Sequence, residues 1–390
     1  MPSSTTGRRA LAVADANWFT TENLFRELDH DGTATLLLKC SDYYNAWQRG
    51  DRPFSWGRAL TRRAPNLWQR EMVLPSGWMK RFPSLGMRPI RRSIDRWRES
   101  CAPEGSLTLV MTYPYYLYLR DQVRPDRTVY FNIDDYSQYW PRCADRVNAL
   151  ELQAVRESEL TVCVSRARAD QLRAAVPEAA GRIRHLPHGA PSSSLGPGPH
   201  LVPAPPPDDL ACLPGPRLGY VGSLEDRIDW DLLTTLADSL PNASIVLIGK
   251  LGTTPAGAWQ TARARCLDRP NVYWLNWRPQ DAIGRYNAAF DVCLIPYRVD
   301  HPFNQVSCPT KIMDYMASGR PIVSTAVPEC QLYDALFDVA ADTDTFVAMT
   351  RSLIAAGPDA DAERSEKRFA WACDNSCRRV VERFVSWLPD

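Results

Sequence analysis

On either side of one proline-rich strap, the chain alternates short apolar runs with helical patterns, and that alternation leaves few folds open. Beyond the strap the strand-like runs are 217-RLGYVG-222, 244-SIVLIG-249, 272-VYWLNW-277, 291-DVCLIPY-297 and 321-PIVST-325. Between them, 229-DWDLLTTLADSL-240 sets Leu232, Leu233, Leu236 and Leu240 on one helical face, and 280-QDAIGRYNAAF-290 repeats the pattern. Strand–helix–strand units connect right-handedly and build parallel sheets. Before the strap the theme recurs less regularly, with strands expected at 10–15, 34–39, 107–112, 128–133 and 160–165, followed by 183–188. The strap itself, 191-PSSSLGPGPHLVPAPPPDDLACLPGP-216, is too rich in Pro, Gly and Ser for regular structure and reads as a linker. An α/β protein with two parallel-sheet domains is expected: residues 1–190, then 217–372, with an amphipathic crossover helix within 373–390. Two such domains on a strap form a cleft, and open parallel sheets bind ligands outside their strands' carboxyl ends.

Bulk properties remove several function classes. A net charge of +1 gives no global basic field for nucleic acid. No run approaches the eighteen or so apolar residues of a membrane-spanning helix. Near the start, 8-RRALAVADA-16 imitates a signal peptide, but Asp15 interrupts its apolar run, and it reads as a first strand. The 11 cysteines are scattered singly without metal-ligand spacing, which fits reduced, buried thiols in a cytoplasmic protein. After 217–222 there is no G-x-G-x-x-G, so a nicotinamide enzyme is disfavoured.

The chemistry concentrates at 308-CPTKIMDYMASGRPIVST-325. On a helix beginning after Thr310, positions 311, 314, 315 and 318 share a stripe, while Ile312, Met313 and Met316 face the core. Lys311 then lies in the first turn, where a cation opposes the helix dipole unless an anion occupies the site. One turn on, Asp314 can accept two hydrogen bonds from a vicinal diol such as ribose. Phosphate beside ribose describes a nucleotide; a surface ion pair at i, i+3 is the competing reading.

The run 309-PTKIMDYMASGRPIVST-325 resembles the donor-binding segment of bacterial GT-B glycosyltransferases of the large family 4 group. There the pattern is Pro-x-Lys-aliphatic-x-Glu-Tyr-x-Ala-x-Gly-Lys/Arg-Pro-Val-Val. Further stretches, 220-YVGSLEDRIDWDLL-233, 290-FDVCLIPYR-298, 130-YFNIDDYSQY-139, 186-LPHGA-190 and 374-DNSCRRVVERF-384, resemble its capsule, exopolysaccharide and teichuronic acid branch in order and spacing. The resemblance implies a GT-B fold, with two Rossmann-like domains facing each other across a cleft and the last helix returning toward the N-terminal domain. It also implies transfer of a sugar from a UDP- or GDP-sugar to a glycan or polyprenyl-linked acceptor, with retention of configuration. Pro309, Thr310, Lys311 and Asp314 would hold the donor, with Gly222, Ser223 and Arg227 contributing from the first loop. The base would lie near Trp277 and Arg278, and Tyr297 and Arg298 would line the same region. Many relatives carry a second acid eight positions before the helix acid. Here that position is Val306, so sugar recognition falls to Asn304, Gln305 or nearby amides.

In 129-VYFNIDDYSQYW-140 an apolar strand runs into Asp134 and Asp135, either of which could hold or deprotonate an acceptor hydroxyl. One of them also suits the N-cap of a helix at Tyr136, and Asp134 is the preferred catalytic group. His188 in 186-LPHGA-190 is a weaker cleft candidate, since His-Gly at a strand end suits a turn. No metal or other cofactor is expected, because cationic side chains and helix N-termini can meet a diphosphate alone. Residues 47–98 hold thirteen Lys/Arg against three Asp/Glu, and five tryptophans (47, 56, 68, 78 and 97). That stretch suits an anionic membrane surface, and hence peripheral attachment at the inner face, or else a solvated face with its indoles packed inward. Two rivals to a transferase stay open: a non-catalytic nucleotide-sugar-binding component of a polysaccharide assembly complex, and an epimerase or phosphorylase of the same fold.

Overall fold

The computed structural model describes residues 9–17, 19–29, 32–43, 59–75, 77, 81–102, 105–196, 205–252, 256–357 and 361–388. The chain divides into two compact units, Met1–Pro187 with Val380–Asp390, and His188–Arg379. The division falls slightly before the expected strap, and the strap belongs with the second unit.

The first unit is built on an eight-stranded sheet: β1 (Arg9–Ala14), β2 (Thr33–Asp42), β3 (Thr61–Ala64), β4 (Leu67–Leu74), β5 (Leu107–Met111), β6 (Arg127–Asn132), β7 (Leu160–Cys163) and β8 (Ile183–His185). Their order is β3-β4-β2-β1-β5-β6-β7-β8. All neighbours pair parallel except β3 with β4. β1 and β5 are buried almost throughout, as strands covered on both faces must be. The pair β3 and β4 is an addition to the sequence reading, which left 61–74 without strands. Arg70 and Glu71 hide the apolar pattern of β4, whose Leu67, Met72 and Leu74 are nevertheless buried. β3 is exposed and carries Arg62 and Arg63, charges that guard an edge against further pairing.

The second unit holds six parallel strands: β9 (Arg217–Val221), β10 (Ser244–Ile248), β11 (Val272–Trp274), β12 (Val292–Ile295), β13 (Ile322–Thr325) and β14 (Asp338–Ala340), ordered β11-β10-β9-β12-β13-β14. The chain leaves β9 toward β10 and later returns to β9's other side as β12, so the direction of winding switches between β9 and β12. Adjacent loops diverge at such a point and leave a recess at the strands' carboxyl ends. The strap is not wholly irregular, as its composition implied. Ser192–Ser194 forms a 3-10 turn and Asp208–Ala211 a helical turn, while 197–204 lie outside the described residues. Pro207, with φ fixed near that of a helix start, accepts from the amides of Leu210 and Ala211, and Leu210 is fully buried.

Two helices close the chain: Ala362–Asp374, which the sequence reading did not place, and the expected last helix, Cys377–Trp387. From Val380 onward the second joins the first unit. Phe384, fully buried, meets the rings of Phe25 at 6.0 Å and Phe131 at 5.6 Å. Phe384→Ala should therefore lower the stability of the first unit by about 3–5 kcal/mol, the usual cost of emptying such a site. Urea unfolding of the full chain checks this; an unchanged midpoint would mean that the helix does not complete the core.

Candidate functional site

Beside the switch point, the loops after β9 and β10 are joined by backbone bonds from Gly222 N to Ile248 O (2.9 Å) and Leu224 N to Lys250 O (2.9 Å). They approach so closely that a Cβ on Gly249 would lie 1.8 Å from the carbonyl oxygen of Gly222. Gly222 itself has φ +150°, and a Cβ there would stand 2.9 Å from the Tyr220 hydroxyl and 3.4 Å from Lys311 Nζ. The chain thus comes down to bare backbone beside the lysine.

Lys311 is the first residue of the Lys311–Ser318 helix and only 7% exposed. Its ammonium lies 4.3 Å from the centroid of the Tyr297 ring and 4.9 Å from that of Tyr220, and it donates to the Tyr297 hydroxyl. Among the described residues no carboxylate stands within ion-pair distance of it. Burial pushes the Tyr297 phenol up, but the charges of Lys311 and Arg227 outweigh burial and hold it below the usual tyrosine range. Arg227 is braced around the same ring: its guanidinium lies 5.1 Å from Tyr297 and 4.1 Å from Phe303. It donates to Asn304 Oδ1 (2.9 Å) and Ser307 Oγ (3.2 Å). Two cations therefore share an aromatic frame at the carboxyl ends of β9 and β12.

The helix starts and stops where its sequence indicates, with Ile312, Met313 and Met316 buried and Gly319 closing it at φ 69°. Two details differ. Thr310 occupies the N-cap position in helical conformation with no capping bond from its side chain, which leaves the first-turn amides without that competitor. Tyr315, placed on the outward stripe by the periodicity, is fully buried and accepts a hydrogen bond from Val221 N (2.9 Å). It ties the helix to the end of β9. Pro309 is buried, and its carbonyl accepts from Ile312 N (3.1 Å).

Asp314 is half-buried and accepts from Ser194 Oγ (2.9 Å), a partner supplied by the strap that no sequence signal announced. Burial raises its pKa to about 6, against the opposing pull of Ser194 and Lys311. His188 is 7% exposed, and burial lowers its pKa to about 4, so the imidazole is neutral at pH 7. Its backbone bonds to Cys308, just ahead of the helix, which fits turn chemistry better than proton transfer.

The other donor-side candidates are dispersed among structural duties. Arg278 pairs with Asp209 (2.5 Å) and donates to Tyr286 Oη (2.9 Å), so it fastens the strap rather than standing open for a base. Trp277 is 53% exposed, with Lys250 Nζ 5.5 Å from its ring centroid. Arg298 pairs with Asp300 (2.7 Å), and Gln305 donates to the Val299 carbonyl. Asn304 is buried and donates to the carbonyls of Arg227 (3.0 Å) and Arg298 (2.9 Å). It orients Arg227 instead of waiting for a sugar. Ser223 is exposed, and its carbonyl accepts from Tyr220 Oη (3.1 Å). Val306 is buried and apolar.

In the first unit the aspartate pair separates into two roles. Asp135 is the N-cap of Tyr136–Tyr139, accepting from Ser137 N (3.1 Å), Ser137 Oγ (2.6 Å) and Gln138 Nε2 (2.9 Å), with Arg168 at 3.7 Å. Burial alone would raise its pKa, but Arg168 and these donors hold it below the usual carboxylate range, so it makes a poor base. Its assignment as catalytic is corrected to capping. Asp134 is half-buried at the end of β6 and accepts from Tyr139 Oη (2.6 Å). Behind both, Glu151 is buried against Tyr130 Oη (2.8 Å), Asn132 Nδ2 (2.7 Å) and Arg168, a network that the sequence did not disclose. In the basic stretch, Trp97 is fully buried, so its indole packs inward, and it meets the half-buried Trp68 edge-on at 6.3 Å; Trp47, Trp56 and Trp78 lie outside the described residues. No described helix is long and apolar enough to cross a membrane.

Against known proteins, residues 215–355 match the family model described as Glycosyl transferases group 1. Solved structures match along almost the whole chain. A UDP-forming α,α-trehalose-phosphate synthase from Burkholderia vietnamiensis aligns with 97% of this chain and 99% of its own, at TM-score 0.69 and 12% identity. HepE from Anabaena, solved in complex with UDP, aligns with 97% and 98% at TM-score 0.62 and 13% identity. The chain has the GT-B fold. One curated relative is the putative teichuronic acid biosynthesis glycosyltransferase TuaH of Bacillus subtilis (strain 168), 26% identical over 111 residues. That alignment spans 28% of this chain and 27% of the relative's length.

A carboxylate with a pKa raised to about 6 destabilises the fold as pH rises. An unfolded Asp ionises near pH 3.9, so the penalty begins above about pH 4 and is complete above about pH 6. Asp314→Asn should therefore melt higher than the parent at pH 7–8 and at the same temperature below pH 4. Equal melting temperatures across that range would show that Asp314 is not strained by burial. A second expectation concerns Tyr297: in Lys311→Met its phenol should ionise at higher pH, read as a shift of the earliest tyrosinate absorbance step.

Proposed function

We propose that the protein transfers a sugar from a UDP- or GDP-sugar to a glycan or lipid-linked acceptor in cell-surface polysaccharide assembly. The observation that carries this reading is the buried Lys311 ammonium, which lies against aromatic rings at a helix amino end with no carboxylate within ion-pair distance among the described residues. A buried cation needs a counter-charge. A diphosphate at this position would meet Lys311, Arg227 and the first-turn amides together, and those groups would also stabilise it as it leaves. Asp314 is one turn further on, the right chemistry for the ribose diol, once Ser194 gives way. The family match over 215–355 and the bound UDP of HepE support a nucleotide donor; TuaH's description supports a polysaccharide product.

We assign the charge stabilisation to side chains and backbone without a metal, retention of configuration to the sugar, and to Asp134 the holding of an acceptor hydroxyl. We place the enzyme in the cytoplasm, peripheral to the inner membrane face. Val306 favours a second reading, in which the chain binds a nucleotide sugar without transferring it. Release of nucleoside diphosphate only on addition of acceptor separates the two.

The direct test is a thermal-shift screen with UDP, GDP and their sugars. One of them should stabilise the fold by about 2.7 kcal/mol at 100 times its Kd. Lys311→Ala should abolish the effect, and the parent's affinity should fall as pH drops through about 6, where Asp314 gains a proton. A chain indifferent to every nucleoside diphosphate would end the proposal.

A further inference from the structure

Asp314 has a neighbour that the proposed transfer does not use. The strap turn Ser192–Ser194 packs against the helices Gln280–Ala288 and Lys311–Ser318 of its own unit. At Gly284 the approach is close enough that a Cβ would touch the Ser193 carbonyl oxygen at 3.5 Å and Ser194 Cα at 3.6 Å. From this turn Ser194 Oγ donates to Asp314 Oδ1 (2.9 Å).

The strap is anchored on either side of the turn by bonds that do not involve Asp314. Ala190 N donates to Asn375 O (2.8 Å), and the Ala190 carbonyl accepts from Cys377 N (2.9 Å). Further on, Asp209 accepts from Tyr286 Oη (2.8 Å) and pairs with Arg278. The turn thus hangs between two fixed points, with Ser192 and Ser193 exposed, and it can lift from Asp314 while the strap stays attached.

Ser194 is also an incomplete partner for the acid. It brings one neutral donor to a carboxylate with two acceptor oxygens, and burial still raises the Asp314 pKa to about 6. A vicinal diol brings two donors, and to engage both oxygens it needs Oδ1, which Ser194 now holds.

We propose that the strap turn is a built-in competitor for the ribose seat: Ser194 stands in for a ribose hydroxyl until a nucleotide displaces it, so that donor binding and release of the turn are linked. This rests on the donor reading of Lys311 and Asp314. A closed turn lowers the apparent affinity in proportion to the fraction of chains in which it is lifted, and removing the serine hydroxyl raises that fraction.

The test titrates the full chain with UDP and with GDP, as the parent, as Ser194→Ala and as Ser193→Ala, an exposed neighbour in the same turn. Ser194→Ala should bind the nucleotide that the parent binds about ten-fold more tightly, which is what losing one hydrogen bond to a carboxylate from the closed state would give. Ser193→Ala should match the parent. Amide hydrogen exchange of the parent gives a second measurement that needs no variant to fold. The Ser194 and Leu195 amides, now bonded to the carbonyls of Pro191 (2.9 Å) and Ser192 (3.3 Å), should exchange faster at saturating nucleotide. Unchanged or weaker affinity in Ser194→Ala overturns the proposal, as does unchanged or slower exchange at those amides, because each means that the turn stays on the acid in the complex. An equal gain in Ser193→Ala overturns it too, since the hydroxyl would then not be the competitor. A parent that binds neither nucleotide removes the donor reading and this one with it; a parent that binds, with no gain in Ser194→Ala, removes this one alone.

Discussion

A lysine ammonium enclosed by two tyrosine rings is the constraint around which the second unit is arranged. A cation removed from water is tolerable only if something of opposite character faces it. Here the π-faces of Tyr220 and Tyr297 and the Tyr297 hydroxyl supply part of that. The arrangement requires β9 and β12 to be neighbours, because each contributes one ring from its carboxyl end. It also requires bare glycine at 222, where a side chain would collide with the Tyr220 hydroxyl.

Around that centre, polar groups are used to fix geometry. Asn304 bonds to two backbone carbonyls and to the Arg227 guanidinium, so one buried amide sets the loop after β9, the loop after β12 and the second cation together. Tyr315 links the helix to β9, and Ser194 links the strap to Asp314. Groups so completely engaged are held ready for one geometry, which is how a site stabilises developing charge without reorganising. In the first unit, the network of Glu151, Arg168, Tyr130 and Asn132 does the same for the turn carrying Asp134 and Asp135.

Much of this architecture is legible in the residues. The strands that were found share a signature, continuous apolar and β-branched runs such as 244-SIVLIG-249, because a parallel strand is buried on both faces. β4 escaped because an outer strand alternates and carries Arg70 and Glu71, and β14, only three residues long, offers too little pattern to register. The local helix signals also held: a first-turn lysine, an acid one turn later, a terminating glycine. Asp135 illustrates the limit. Two adjacent aspartates at a strand end look alike in sequence, and only the position of Ser137, Gln138 and Arg168 makes one of them a cap.

By itself, then, the sequence determined the α/β class, the two units, and which short helix carries a cation and an acid on successive turns, since periodicity and propensity act over neighbouring residues. The tertiary structure alone decided that Lys311 would be enclosed by Tyr220 and Tyr297, that Arg278 would serve Asp209, and that Ser194 would reach Asp314. Those contacts join residues between 14 and 120 positions apart. Their geometry follows from strand order and loop packing, which no local pattern encodes.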